Sequence, residues 1–196
     1  EKISLKLITF NKWKILINDG NYDKFNLNNF KILRPPKNEF WADPFLILKN
    51  NSKFIFFENY LYKEKKGKIS YLMLDKNNNI LKKKDVINKS YHLSFPSIFV
   101  YDNDYYMAPE SCVNKQQDIY KCINFPDKWI KYKTIFNGES VVDTVFFKDD
   151  NNDIWIFCNK SSNVMNDHNS ELYIYKIDKK FKFTKIDSHR KNPVIV

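Results

Sequence analysis

Glycine is nearly missing from this chain, at 3 of 196 residues, and arginine is scarcer still, at Arg34 and Arg190 alone. Few glycines together with short runs of Phe, Tyr, Ile and Val point to an all-β class rather than a helical or α/β one. The formal charge of +10 is carried almost wholly by Lys dispersed among Asn, Ile and Phe. Base readout and bidentate phosphate grips favour Arg and a clustered footprint, so a nucleic-acid partner is not expected. The densest runs, Lys63-Glu64-Lys65-Lys66 and Lys82-Lys83-Lys84, read as solvated turns between strands.

No stretch approaches the roughly 18 continuous apolar residues of a membrane helix, and Glu1 to Lys6 carry charge where a signal peptide would be apolar. The chain starts at Glu1 rather than Met, so a preceding segment is expected. Cysteine is sparse and odd in number: Cys112, Cys122 and Cys158 have no metal-ligand spacing and no His at a catalytic spacing. Reduced, buried thiols and a cytoplasmic setting follow, with no metal or other cofactor.

What the chain does have is one pattern written three times. Asp43-Pro44-Phe45-Leu46-Ile47-Leu48, a turn, and Phe54-Ile55-Phe56-Phe57-Glu58-Asn59 form the first copy. Phe95-Pro96-Ser97-Ile98-Phe99-Val100, a turn, and Tyr105-Tyr106-Met107-Ala108-Pro109-Glu110 form the second; Asp143-Thr144-Val145-Phe146-Phe147, a turn, and Ile154-Trp155-Ile156-Phe157-Cys158-Asn159 form the third. Pro44 to Glu58 and Pro96 to Glu110 each span 14 positions, and Thr144 to Asn159 spans 15, one more residue of turn. Starts 52 and then 48 positions apart fall near the 40–50-residue period of propeller blades. His92-Leu93-Ser94-Phe95-Pro96 is echoed by His189-Arg190-Lys191-Asn192-Pro193, as if a fourth repeat began at 188–196.

A half-polar third strand follows each pair, at 68–74, 118–123 and 171–177, and Lys12 to Ile17 alternates as an earlier strand. Asn18 to Asn29 is a polar connection, and Arg34-Pro35-Pro36 must be loop. The unalternated apolar runs fit sheets covered on both faces, so Phe45, Ile47, Phe56, Ile98, Val145, Phe147 and Ile156 are expected to be buried in four-stranded antiparallel blades. The domain reads as one unit over 1–196, with repeats at about 40–90, 91–138 and 139–187. Because a propeller needs about four blades to close, the reading is three full blades plus parts, a piece of a longer protein with further domains.

Antiparallel hairpins return the end of each second strand to the rim where its inner strand begins. Asp43, Asp143, His92 and His189 should therefore share one mouth with Glu58 and Glu110. Carboxyls crowded round a concave site have their pKa values pushed apart, which suits general acid and base work. Each residue also has a structural reading: Asp43 as a turn cap, Glu58 and Glu110 as partners of a Lys or of backbone donors, the two histidines as hydrogen-bonders, Asp143 as a local cap. Tyr106 and Trp41 read as core, with Trp41 also suited to stacking on a sugar.

Ala42-Asp43-Pro44-Phe45, His92-Leu93-Ser94-Phe95-Pro96, Tyr106-Met107-Ala108-Pro109-Glu110-Ser111, Phe125-Pro126-Asp127-Lys128-Trp129, Val142-Asp143-Thr144 and His189 through Val194 together resemble the five-bladed β-propeller of glycoside hydrolase family 43. The series is similar to the family-43-like domain at the N-terminus of glucosamine inositolphosphorylceramide transferases and in bacterial surface-polysaccharide proteins, some linked to formyltransferases. The resemblance implies a carbohydrate-active domain in surface glycan or polysaccharide assembly, with a carbohydrate or sugar-nucleotide ligand. It implies Asp43 as general base of an inverting hydrolase and makes Glu110 the candidate general acid; from the shared rim, Asp143 is counted with them as catalytic, and Trp41, Glu58, His92, Tyr106 and His189 as substrate-binding. The second repeat begins Phe95-Pro96-Ser97, with no Asp. A glycan-binding module serving a transferase domain, and a protein-interaction propeller, are the competing readings.

Overall fold

The computed structural model describes residues 12–20, 26–160, 171–178, 180–184 and 192–194. Within them lie three four-stranded antiparallel sheets, each built from strands consecutive in the chain. The first is β3 (Glu39–Lys49), β4 (Ser52–Leu61), β5 (Lys66–Leu74) and β6 (Ile80–Ile87). The second is β7 (Ser94–Tyr101), β8 (Asp104–Glu110), β9 (Gln117–Asn124) and β10 (Lys128–Ile135). The third is β11 (Val142–Lys148), β12 (Ile154–Lys160), β13 (Glu171–Ile177) and β14 (Phe183–Thr184). Two short strands, β1 (Ile15–Ile17) and β2 (Lys31–Leu33), pair with each other and pack on the first sheet.

The hairpin turns follow from their residues. Asn50-Asn51 and Asp102-Asn103 are all left-handed, as a two-residue turn of matching twist requires, and Asn and Asp tolerate that region. The third turn is longer, as its extra position implies: Asp149 accepts the N–H groups of Asn151 and Asp153 at 2.9 Å and the Trp155 indole N–H at 2.9 Å.

The core lies between sheets. Phe56, Ile69, Tyr71, Leu93, Met107 and Trp129 fill the space between the first and second. Tyr106, Ala108, Ile119, Phe146, Ile156 and Phe181 fill the space between the second and third. Inner strands β3, β7 and β11 adjoin one another in order, so the sheets are arranged as neighbouring blades. Every residue of β4 from Phe54 to Asn59 is buried, which explains its lack of alternation. The Phe125–Trp129 motif clamps two blades: Asp127 accepts from the Tyr71 hydroxyl at 2.7 Å, and Phe125 packs on Phe54 with ring centroids 5.0 Å apart.

Two expectations change. Phe56 and Ile156 are fully buried, and Phe45, Ile47 and Ile98 half-buried, but Val145 is 42% and Phe147 54% exposed. Neighbouring residues on a strand face opposite ways, and β11 turns Phe146, not these two, toward the second blade; no described element covers the other face. Lys82-Lys83-Lys84 is not a turn but the middle of β6, and Lys66 begins β5. Residues 192–194 form no strand; Asn192 bonds both backbone groups of Ile174, at 2.9 and 2.8 Å.

Candidate functional site

All three inner strands are broken at the same place. The ladder skips between Ala42 and Phe45, between Ser94 and Ser97, and between Val142 and Val145. The first residue of each bulge is left-handed: Asp43 (φ 50°), Phe95 (φ 40°) and Asp143 (φ 53°). For non-glycine residues this costs about 1–3 kcal/mol apiece and persists where surrounding structure enforces it. Across from each bulge stands the end of the second strand, where Ala42 pairs with Glu58, Ser94 with Glu110, and Val142 with Asn159.

Hydrogen bonds tie these positions into one cluster. The Phe95 N–H donates to Asp43 Oδ2 at 3.1 Å, and the adjacent Ser94 hydroxyl donates to Glu110 Oε1 at 3.3 Å. The Asp143 N–H donates to Glu110 Oε2 at 3.1 Å, and Asn159 Nδ2 donates to Asp143 Oδ2 at 3.2 Å. His92 takes the Gly67 N–H on Nδ1 at 2.9 Å, which leaves the ring proton on Nε2, 3.5 Å from Glu58 Oε1. A cavity of about 470 Å³ opens over Asp43 and Glu58, walled by Trp13, Lys14 and Trp41.

Burial in company with like charge sets the electrostatics. Glu58 is pushed up to about 8, first by desolvation, then by the charges of Asp43 and Glu110. At neutral pH it therefore keeps its proton. Asp43 is raised by burial and by Asp143, against the lowering effect of the Phe95 N–H and of its hydrogen-bonding interaction with Glu58. Glu110 is raised by burial and by Asp143, opposed by the Asp143 N–H and Ser94. His92 is lowered by burial and held neutral, with Asp43 pulling the other way.

Residues 33–196 match the family described as glucosamine inositolphosphorylceramide transferase 1, N-terminal. The chain belongs to that family. It is 28% identical over 137 residues to glucosamine inositolphosphorylceramide transferase 1 of Oryza sativa subsp. japonica, and 33% identical over 107 residues to that of Arabidopsis thaliana. These matches take in 69% and 54% of this chain but only 18% and 14% of the two relatives. Among solved structures it is similar to an exo-β-1,3-galactanase from Phanerochaete chrysosporium (TM-score 0.63, 12% identity, 80% of this chain and 40% of that one). It is also similar to a thermostable family-43 glycoside hydrolase (TM-score 0.55, 14% identity, 74% of this chain and 51% of that one). At such identities the likeness shows a family-43-like propeller fold.

Within this family fold, Asp43, Glu58, His92, Glu110 and Asp143 share one mouth. Trp41 is buried, yet one edge lines the cavity; its indole N–H donates to Glu39 at 3.3 Å and its ring lies 5.1 Å from that of Phe57. Tyr106 stands elsewhere, 5% exposed in the core between the second and third blades, stacked on Phe99; β8 turns it away from the mouth, and a substrate-binding role does not fit that position. His189 lies outside the described residues. Gly67, Ser94 and Asn159 belong to the cluster and were not singled out from the sequence. Asn159 alone had a signal, since it occupies the place of Glu58 and Glu110 in the third repeat.

Proposed function

We propose that this domain holds a sugar in the mouth ringed by Asp43, Glu58 and Glu110, serving glycan assembly by the longer protein to which such domains belong. The observation that carries this is the convergence of three carboxyls, one retaining a proton at neutral pH, two of which, Asp43 and Glu58, line a cavity bordered by Trp13 and Trp41. Carboxylates accept from sugar hydroxyls, a protonated carboxyl also donates to them, and the exposed Trp13 indole offers an apolar face to the ring. The names of the curated relatives and the family-43-like fold support the carbohydrate class. Glycan titrations of the full chain by calorimetry test the reading; Asp43→Asn and Glu110→Gln should each weaken binding by about 1–3 kcal/mol, the worth of a hydrogen bond to a charged group. Absence of binding to any glycan overturns it.

A second reading, hydrolysis with inversion, is favoured by one segment holding both carboxyls, since the Phe95 N–H donates to Asp43 and the adjacent Ser94 hydroxyl to Glu110. The two carboxyls of an inverting pair stand roughly 6.5–9.5 Å apart to admit a water. Asp43 and Glu58 interact too closely for that, so Asp43 would be the base and Glu110 the acid. Glu58 would then hold the shared proton, and Asp143 would orient Glu110. In that case the same two substitutions lower turnover by about 10²-fold or more with binding largely kept.

A further inference from the structure

The concavity does not end at the carboxyls. Trp13 and Lys14 also line a second cavity, of about 560 Å³, that continues away from Asp43 to Lys12, Arg34 and Lys37. Among the described residues its only acidic wall is Glu39, buried and already engaged by the Lys83 ammonium and the Trp41 indole. Lys12, Lys14, Arg34 and Lys37 make no ion pair among the described residues, so four cations face this space with no anion to match them. The wall is also braced. Pro35 and Pro36 restrict the loop that carries Arg34, and the Trp13 carbonyl accepts the Trp41 N–H at 3.5 Å, tying residues 12–14 to the first blade. Trp13, 60% exposed, forms the threshold between the acidic mouth and the basic cavity.

A ligand that crosses this threshold meets hydroxyl-binding carboxyls on one side and a guanidinium with three ammonium groups on the other. We propose that the second cavity is a subsite for an anionic substituent, a phosphate or a carboxylate, borne by the sugar whose ring lies over the carboxyl cluster. The proposal rests on the sugar-binding reading above and adds the charge of the ligand to it. Arg34 supplies a planar fork suited to either oxyanion, and the lysines supply point charges. A neutral oligosaccharide would leave the four cations unmatched, and a free anion would leave the mouth empty.

The test titrates the full chain with glucose, glucose 6-phosphate, glucuronate and inorganic phosphate, following the Trp13 indole resonance at low and high salt. Both charged sugars should bind at least 10-fold more tightly than glucose at low salt, and the margin should shrink several-fold at high salt, since these cations are exposed. Arg34→Gln with Lys37→Gln should erase the margin and leave glucose binding unchanged. A preference confined to one charged sugar assigns the substituent as phosphate or as carboxylate. Equal affinity for charged and neutral sugars, or a margin that survives the double substitution, overturns the anionic subsite while sugar binding stands. If no sugar binds, the sugar reading falls. A Trp13 shift with inorganic phosphate that the double variant lacks then upholds the anion site, and no such shift overturns it too.

Discussion

Gly67 shows what a single residue does for the mouth. A Cβ there would sit 2.5 Å from the Leu93 carbonyl oxygen, 2.9 Å from Glu58 Oε1 and 2.9 Å from His92 Cε1. Its N–H holds His92 and its carbonyl accepts the Leu93 N–H at 3.0 Å, so the strand before the second bulge is seated on a residue without a side chain. Gly67→Ala should cost about 1–3 kcal/mol in denaturant unfolding, the scale of overpacking, and should weaken sugar binding. Gly138→Ala, in open space at φ +86°, should affect stability by backbone strain only. Glu58 gives a pH signature. Its folded pKa of about 8 lies above the unfolded value near 4.5, so the folded state holds more protons between the two. Its contribution to stability is complete below about pH 4.5 and is lost as pH rises through about 8. Glu58→Gln should therefore flatten the fall in unfolding midpoint between pH 5 and 9; an unchanged slope would show that another group is responsible. Glu58, Glu110 and Asp43 were legible in the sequence because a 14-residue register repeats around them. Gly67 was not, because close approach of chain segments 25 positions apart is a tertiary fact with no local pattern.

At the scale of elements, β6 turns a run of like charge into a double-sided clasp. Alternation sends Lys83 to one face of the first blade, where it pairs with buried Glu39, and Lys82 and Lys84 to the other, where they reach Asp127 at 3.6 and 3.2 Å. Lysines on an outermost strand also discourage edge pairing. The two sides differ in energy. Removing Lys83 strands a carboxylate that is 6% exposed, so Lys83→Met should destabilise by about 3 kcal/mol. Lys82→Ala or Lys84→Ala, on half-exposed pairs, should cost less than about 1 kcal/mol. Adding Glu39→Gln to Lys83→Met should restore much of the loss; failure to do so would place the effect in packing rather than in the stranded charge. The lysine run was read as turn because its composition is polar all round. An outer strand has no apolar period to announce it, whereas β4, buried on both faces, announced itself plainly. The bulges were half legible: Asp43-Pro44 and Phe95-Pro96 marked where the first two inner strands break, though β3 already begins at Glu39, and the left-handed geometry common to Asp43, Phe95 and Asp143 emerged only from the backbone.

Across the whole molecule, the repeat register placed the blades and the shared mouth, and it erred where it assumed that every blade face is covered. The face of β11 that carries Val145 and Phe147, and the face of β3 that carries Leu46 and Leu48, are open among the described residues, at 42%, 54%, 51% and 69% exposure. β1 and β2 cover Trp41 of the inner strand and Ile55, Phe57, Leu72 and Leu74 of the first blade but leave Leu46 and Leu48 exposed. Periodicity reports which residues are apolar; whether a neighbouring blade reaches them depends on elements farther along the ring. Paired apolar side chains left in water on two sheets favour association. Light scattering of this chain should therefore show mass rising with concentration. Val145→Thr with Phe147→Thr, which touch neither the interblade cores nor the carboxyl mouth, should reduce that rise while leaving the unfolding midpoint and any sugar affinity in place. A concentration-independent monomer would show instead that these faces are covered within the chain itself.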